Sequence, residues 1–379
     1  MTPELRALLT SERPPDPDAV ERYVSERGSP VVDGTSVTFL HRGEADAVYL
    51  QHFIYGLPTA QPLHHVPGTD VWWIEIELPR ASRIEYKFVV ERGRRKRLIR
   101  DRLNQNLAFD PFGANSVCHG DGYVTPHWTL PDPEARPGTI ETHEIASEAY
   151  GGTRSVRVYL PARMRPTRRY ALLVVLDGDD YMTYARLQTV LDNLLHQNEV
   201  TQLVVACTQS PDRMREYAAN EATARFLADE LVPYLESVYP LRRTAASRGL
   251  LGASLGAVTA LHAAWRRPGT FGRLLLQSGS FAFTDIGREV RSPVLEPVVD
   301  FVNPFRENPG KPSERVFVSC GVYERLIYEN RSLVPLLQRT GMDVRFVESR
   351  DGHNWENWRD RLREGLAWLF PGPLGLVYE

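Results

Sequence analysis

Arg248-Gly249-Leu250-Leu251-Gly252-Ala253-Ser254-Leu255-Gly256-Ala257-Val258 is the stretch that decides the fold. Arg248 to Leu251 has the length and apolar content of a buried strand, the run from Ala257 to Trp265 reads as a helix, and the five residues between them spell G-x-S-x-G. A turn from strand to helix this tight leaves no room for side chains beside the serine. Glycine at 252 and 256 is therefore a steric requirement, and the strained bend leaves the Ser254 hydroxyl exposed. Chance copies of the pentapeptide are common, so the strand before it and the helix after it carry the weight of the reading.

Outward from this bend, short apolar runs alternate with longer helical segments from Thr139 onward. The strands expected are Val156 to Leu160, Ala171 to Leu176, Leu203 to Cys207, Arg248 to Gly252, Arg273 to Gln277, Val316 to Ser319 and Val344 to Val347. Glu221 to Val238 and Trp355 to Phe370 show helical periodicity. Such alternation is the signature of a mostly parallel sheet with helices on both faces, here an α/β-hydrolase fold.

A serine hydroxyl becomes a nucleophile only when a base removes its proton, and in this fold the chain order is serine, acid, histidine. Of the ten histidines only His353 follows the last expected strand, in Asp351-Gly352-His353-Asn354-Trp355. The acid belongs after the preceding strand, where Cys320-Gly321-Val322-Tyr323-Glu324 offers Glu324; Asp351 and Asp343 compete, although Asp343 begins its strand at the wrong end. The oxyanion of an acyl-transfer step needs two N–H donors. Leu255, next to the serine, supplies one, and Gly178 or Asp179 in Leu176-Asp177-Gly178-Asp179-Asp180 supplies the other. Those adjacent aspartates lack the periodicity of metal ligands, so no metal is expected and the chemistry requires no cofactor.

The first third of the chain reads differently. Val37 to Leu40, Ala47 to Ile54, Val71 to Leu78 and Arg83 to Val90 alternate with period two and are separated by turn residues, as in a small β-sandwich. Pro126, Pro131, Pro133, Pro137 and Gly138 mark an extended connector. The expected organisation is a helical or extended segment over 1–34, a sandwich over 35–124, a linker over 125–139 and the hydrolase domain over 140–379.

With 379 residues, 42% hydrophobic and 25% charged, and a net charge of −3, the composition is that of a globular protein with no overall electrostatic footprint for nucleic acid or an anionic membrane. Cys118, Cys207 and Cys320 fit no metal spacing and cannot all pair. Met1 to Asp18 lack the apolar core of a secretory signal and no later run has membrane-spanning length, so the cytoplasm is the expected location. Oligomeric state is not legible.

Taken together, Pro67-Gly68-Thr69-Asp70-Val71-Trp72, Tyr86-Lys87-Phe88, Leu176-Asp177-Gly178, Gly252 to Gly256, Gln277-Ser278-Gly279-Ser280, Gly321 with Glu324, Asn330-Arg331 and Gly352-His353 with Trp355 resemble the enterochelin esterase family, related to the esterase D and feruloyl esterase branch. The resemblance implies cleavage of ester bonds in a catecholate siderophore lactone, a small-molecule substrate. It also implies that Arg213 and Arg215 hold anionic oxygens of that substrate; a solvated or salt-bridged helix start is the competing reading. Trp355 and Trp358 are candidates for stacking on aromatic rings, with packing of the last helix the favoured alternative. Two other functions remain: a feruloyl or acetyl esterase acting on carbohydrate, and a non-catalytic binding protein on the same scaffold.

Overall fold

Alternating residues of Val71–Glu77 turn Trp72, Ile74 and Ile76 to one side, where they meet Val37 and Phe39 from Ser36–Arg42 and Leu50, Tyr86 and Phe88 from a second sheet. The structure, a computed structural model, describes residues 1–10, 16–283 and 295–373. Residues 11–15 of the expected N-terminal segment, and 284–294 and 374–379 of the expected hydrolase domain, lie outside them. The chain forms two compact units.

The first unit comprises Met1–Thr125 together with Gly321–Arg325 and Ser349–Asn354. One of its sheets runs Val31–Asp33, Ser36–Arg42, Val71–Glu77, His64–His65. The other runs Ala60–Pro62, Ala47–His52, Arg83–Arg92, Gly113–His119, Leu107–Asp110, with Arg95–Ile99 also paired to Arg83–Arg92. Their facing side chains form one core, the arrangement of a β-sandwich. Two helices, Pro3–Leu9 and Pro17–Arg27, cover part of the outer face by burying Leu5, Leu9, Val20 and Val24 against Leu40, Val66 and Val71.

The second unit holds an eight-stranded sheet: β1 (Thr139–Ser147), β2 (Gly152–Leu160), β3 (Ala171–Leu176), β4 (Leu203–Thr208), β5 (Arg248–Ala253), β6 (Arg273–Gln277), β7 (Arg315–Gly321) and β8 (Asp343–Ser349). The spatial order is β1-β2-β4-β3-β5-β6-β7-β8. β1, β2 and β4 are antiparallel neighbours, whereas the pairings from β4 through β3, β5, β6 and β7 are parallel. Every residue of β3 and β4 is buried, because helices lie on both faces. Leu172, Val174 and Leu176 pack on the side of helix Leu255–Arg266; Leu173 and Val175 pack on the side of helices Leu187–His196 and Trp355–Leu369. This is the α/β-hydrolase fold.

Two local features depart from simple periodicity. The helical run from Glu221 to Val238 contains a π-helical stretch, Phe226–Leu231, just before Pro233, which has no N–H to bond back to the preceding turn. β1, absent from the expected strands, starts at the last residue of the expected linker; six of its nine residues are exposed, so it carries no apolar signature. Among the described residues, no helix is long and apolar enough to cross a membrane.

Candidate active site

Ser254 stands between β5 and helix Leu255–Arg266 at φ 57° and ψ −119°, a conformation that costs a non-glycine residue about 1–3 kcal/mol. The surrounding backbone holds it there. A Cβ on Gly252 would lie 2.3 Å from the carbonyl carbon and oxygen of Gly256, so the bend closes only with glycine at 252. The Ser254 N–H donates to the Gln277 carbonyl at 2.9 Å, and the Ser254 carbonyl accepts from the Ser280 N–H at 3.3 Å. The Ser254 hydroxyl lies 3.1 Å from that of Ser280.

The loop after β3 is built with the same closeness. Asp177 is left-handed at φ 53°, and a Cβ on Gly178 would meet Cys207 Cβ at 2.4 Å. Gly178 and Leu255 each open a helix, so their N–H groups are among the first-turn donors that a helix leaves without an internal partner. The other candidate, the Asp179 N–H, is engaged by the Gln209 side-chain carbonyl at 3.2 Å. Buried Asp177 accepts from Arg213 Nε at 3.0 and 2.9 Å, while Arg213 Nη2 donates to the Ala253 carbonyl at 3.2 Å. Burial pushes the Asp177 carboxyl up to about 6 against the opposing pull of Arg213. Arg213 thus ties the loop after β3 to the residue preceding the serine.

Glu324 and His353 follow β7 and β8 and belong to the first unit, whereas Ser254 belongs to the second. Glu324 is buried; its Oε1 accepts the Gly321 N–H at 2.9 Å and its Oε2 lies 2.5 Å from His353 Nδ1. A carboxylate so placed fixes the proton on Nδ1 and leaves Nε2 as the basic nitrogen. The His353 side chain keeps 37% of its surface exposed. Asp351 is committed elsewhere: its carboxyl receives Arg83 Nη1 at 3.2 and 3.3 Å, Asn354 Nδ2 at 2.8 Å and the Gly352 N–H at 2.7 Å. Burial drives that carboxyl up to about 6 despite Arg83. Asp343 opens β8, exposed, 3.6 Å from Arg315.

Arg83, which sequence reasoning did not single out, is fully buried. It begins a sandwich strand whose alternation places Ile84, Tyr86 and Phe88 in the core and therefore reads Arg83 as an outward, solvated residue. Instead Nη1 bonds Asp351 and, at 3.0 Å, Asn354 Oδ1, on both sides of His353 in the chain. Nη2 reaches Glu85 Oε1 at 3.0 Å, and Glu85 Oε2 accepts from Asn115 Nδ2 at 2.7 Å. The Arg83 N–H donates to the Arg350 carbonyl at 2.9 Å. The Glu324 loop has matching supports: Tyr323 OH pairs with Ser82 Oγ at 2.5 Å, and the Tyr55 N–H donates to the Tyr323 carbonyl at 2.8 Å. The two loops also join directly, Val322 N–H to Ser349 carbonyl and Tyr323 N–H to Asp351 carbonyl, at 2.8 and 3.1 Å.

Arg215 is exposed on the short helix Arg213–Glu216. Trp355 is half-buried, edge-on to Tyr181 and Trp358 with centroids 5.2 and 4.8 Å away. Trp358 is buried and donates its indole N–H to Ser278 Oγ at 2.9 Å. Ser280 was legible only as part of the Gln277–Ser280 segment, and Gln209 carried no local signal.

Comparison with known proteins adds a family to this geometry. The sequence profile of the Esterase family matches residues 147–369, and that of the enterochelin esterase N-terminal domain matches residues 36–135. The iron(III) enterobactin esterase of Escherichia coli (strain K12) is 25% identical over 342 residues, covering 82% of each chain. A crystal structure of ferric enterobactin esterase from Salmonella typhimurium superposes with a TM-score of 0.73 at 22% identity, covering 88% of this chain and 93% of that one. A ferulic acid esterase superposes with a TM-score of 0.55 at 18% identity, covering 63% of this chain and 99% of its own.

Proposed function

Since the chain belongs to the Esterase family and so to the carboxylic ester hydrolases, we propose that it cleaves its substrate through an acyl-enzyme on Ser254, with His353 as general base and Glu324 orienting the imidazole. The reading rests on two observations: the 2.5 Å pairing of His353 Nδ1 with a buried, backbone-anchored Glu324 in the first unit, and, in the second, a serine strained at a bend that only glycine at 252 allows. His353 Nε2 takes the proton as Ser254 Oγ bonds to the ester carbonyl carbon. Negative charge then gathers on the carbonyl oxygen, where the N–H groups of Leu255 and Gly178 are the donors; Gly178 is preferred over Asp179, whose N–H already serves Gln209. One such donor is worth about 3 kcal/mol to the transition state. Collapse breaks the ester C–O bond, the leaving alkoxide takes the proton from His353, and water activated by the same imidazole cleaves the acyl-enzyme. The buried Glu324 carboxylate stabilises the imidazolium formed on the way.

For the substrate we infer a catecholate siderophore lactone. Support comes from likeness to enterobactin esterases across both units, including the N-terminal domain; the ferulic acid esterase matches only part of the chain and speaks to the fold alone. The buried thiols of Cys118 and Cys207 suit a cytoplasmic setting. Arg213, occupied by Asp177 and Ala253, serves the loop after β3, and exposed Arg215 is the better candidate for an anionic substrate.

A fluorophosphonate probe should label the wild type at Ser254, Ser254→Ala should abolish labelling with at least about 10⁵-fold loss of turnover, and His353→Ala should slow labelling severely. A wild type that does not react is a binding protein, not a hydrolase. Side-by-side turnover of enterobactin and methyl ferulate tests the substrate; inertness toward the catechol lactone with turnover of the ferulate reassigns it.

A further inference from the structure

The hairpin of Arg83–Arg92 and Arg95–Ile99 ends in charge of one sign. Between Arg92 and Arg102 the chain holds seven basic side chains and one acidic residue, Asp101, a local excess that the overall net charge of −3 conceals. Asp101 is buried and spends its carboxylate on the Tyr86 hydroxyl at 2.7 Å and the Leu103 N–H at 2.8 Å.

The strand register sharpens the point. Phe88 faces Ile99, Val90 faces Arg97 and Arg92 faces Arg95, so all six share one face of the hairpin. Phe88 and Val90 lie in the sandwich core, and beyond the core's edge the same face continues as guanidinium. Like charges directly opposite each other on neighbouring strands repel. Among the described residues, Arg92, Arg95, Arg97 and Arg102 form no ion pair that would relieve this. Nearby carboxylates are spent elsewhere: Glu91 on Lys96 at 2.6 Å, Asp46 on the Gly93 N–H at 2.5 Å, and Asp70 and Glu21 on Arg42 at 3.0 and 3.1 Å.

These arginines converge on a cavity of about 550 Å³ lined by Arg42, Arg92, Arg95, Arg97 and Arg102 beside His41, with Val90 and Ile99 as its apolar part and no carboxylate in its wall. Burial and the neighbouring Arg102 push the His41 imidazole down to about 4, so it stays neutral within that positive field. A cavity of this size takes a small organic ligand. A guanidinium offers a rigid fork of donors that fits phosphate oxygens in pairs, and several forks on one space suit clustered charges better than a lone carboxylate.

We propose that this cavity binds a compact organic polyphosphate, its phosphates held by Arg92, Arg95, Arg97 and Arg102 and its organic part resting on Val90 and Ile99. Concavity favours a small molecule over a polymer, which would need an open track of charge. The site is independent of the hydrolase reading, since none of its residues enters that chemistry.

Calorimetry and thermal shift on the full chain test it, with ATP and inorganic triphosphate as probes. The expected result is saturable binding of both at low salt, weaker at about 0.15 M salt, with ATP raising the melting temperature. Arg95→Gln combined with Arg97→Gln should lower both affinities at least about tenfold. The same variant should leave the unliganded melting temperature unchanged or raised, because a repulsion has been removed, and leave Ser254 labelling unaltered. Absence of binding by both probes, or binding indifferent to the double substitution, overturns the proposal. So does binding of heparin or duplex DNA alone, which would make the surface a polymer-docking face.

Discussion

The serine bend and the histidine loop reach a comparable order by opposite routes. Ser254 is held by residues within a few positions of itself and by the adjacent strand: Gly252 against Gly256, and a backbone bond to Gln277. His353 sits in a loop of short-range irregularity whose flanks, Asp351 and Asn354, are gripped by a fully buried arginine that the chain laid down 268 residues before Asp351. One geometry is enforced by exclusion of atoms, the other by charges buried together. Steric exclusion is indifferent to solvent and pH, whereas a cluster of buried charges responds to the loss or the titration of any one of its members.

The largest effect that would break this comparison is expected from Gly252→Ala. Its Cβ would overlap Gly256 backbone that cannot yield, so a loss of about 4 kcal/mol or more in urea unfolding, or failure to fold, should follow. A stable Gly252→Ala protein with normal fluorophosphonate labelling would show that the bend is not sterically locked. Next comes Arg83→Met, which leaves Asp351 and Glu85 buried without their cation and should cost about 3–5 kcal/mol. If the grip also positions His353, labelling of Ser254 should slow by about 10²-fold under conditions where the variant remains folded, and Arg83→Lys should recover part of that loss. Unchanged labelling would make Arg83 purely structural.

The smallest effect concerns pH. Asp351 has a folded-state carboxyl raised to about 6, above its unfolded value near about 4. Between those values the native state keeps a proton that the unfolded chain has released, so this group's contribution to stability falls as pH rises through the window. Asp351→Asn cannot titrate. The stability difference between wild type and variant should therefore shift in the variant's favour from pH 4 to pH 7, as read by denaturation at each pH. A constant difference would mean that the carboxyl is not raised.

What could be read from the sequence follows the same division. Strands β3 to β7 were legible because parallel strands buried on both faces are continuous apolar runs, and the Ser254 bend because Gly252 is its neighbour; Gly256, expected to be equally required, has room for a Cβ, whose nearest contacts would be Asp177 at 3.4 Å and Leu176 at 3.5 Å. Glu324 and His353 were reached through chain order, a topological rule that required no knowledge of their supports. β1 escaped because an exposed edge strand such as Thr139–Ser147 shows no apolar run. Strand Arg95–Ile99 escaped because Arg-Lys-Arg-Leu-Ile does not alternate. The close approach of Cys207 to Gly178 and the bond from the Asp179 N–H to Gln209 were not legible, since both partners come from β4 and the loop beyond it. Arg83 was invisible for the deepest reason: alternation marks a strand's outward face, and nothing local says that distant loops will cover it.

Because Gly321–Arg325 and Ser349–Asn354 are structurally part of the sandwich unit, the exchangeable module in this protein is not a contiguous stretch of chain. A hybrid made by crossing two relatives in the proline-rich linker would inherit Arg83 and Ser82 from one parent but Asp351, Asn354 and Tyr323 from the other. Recombinants that respect the architecture must carry three segments together, which binds the ancestry of the sandwich to that of two short loops encoded far downstream.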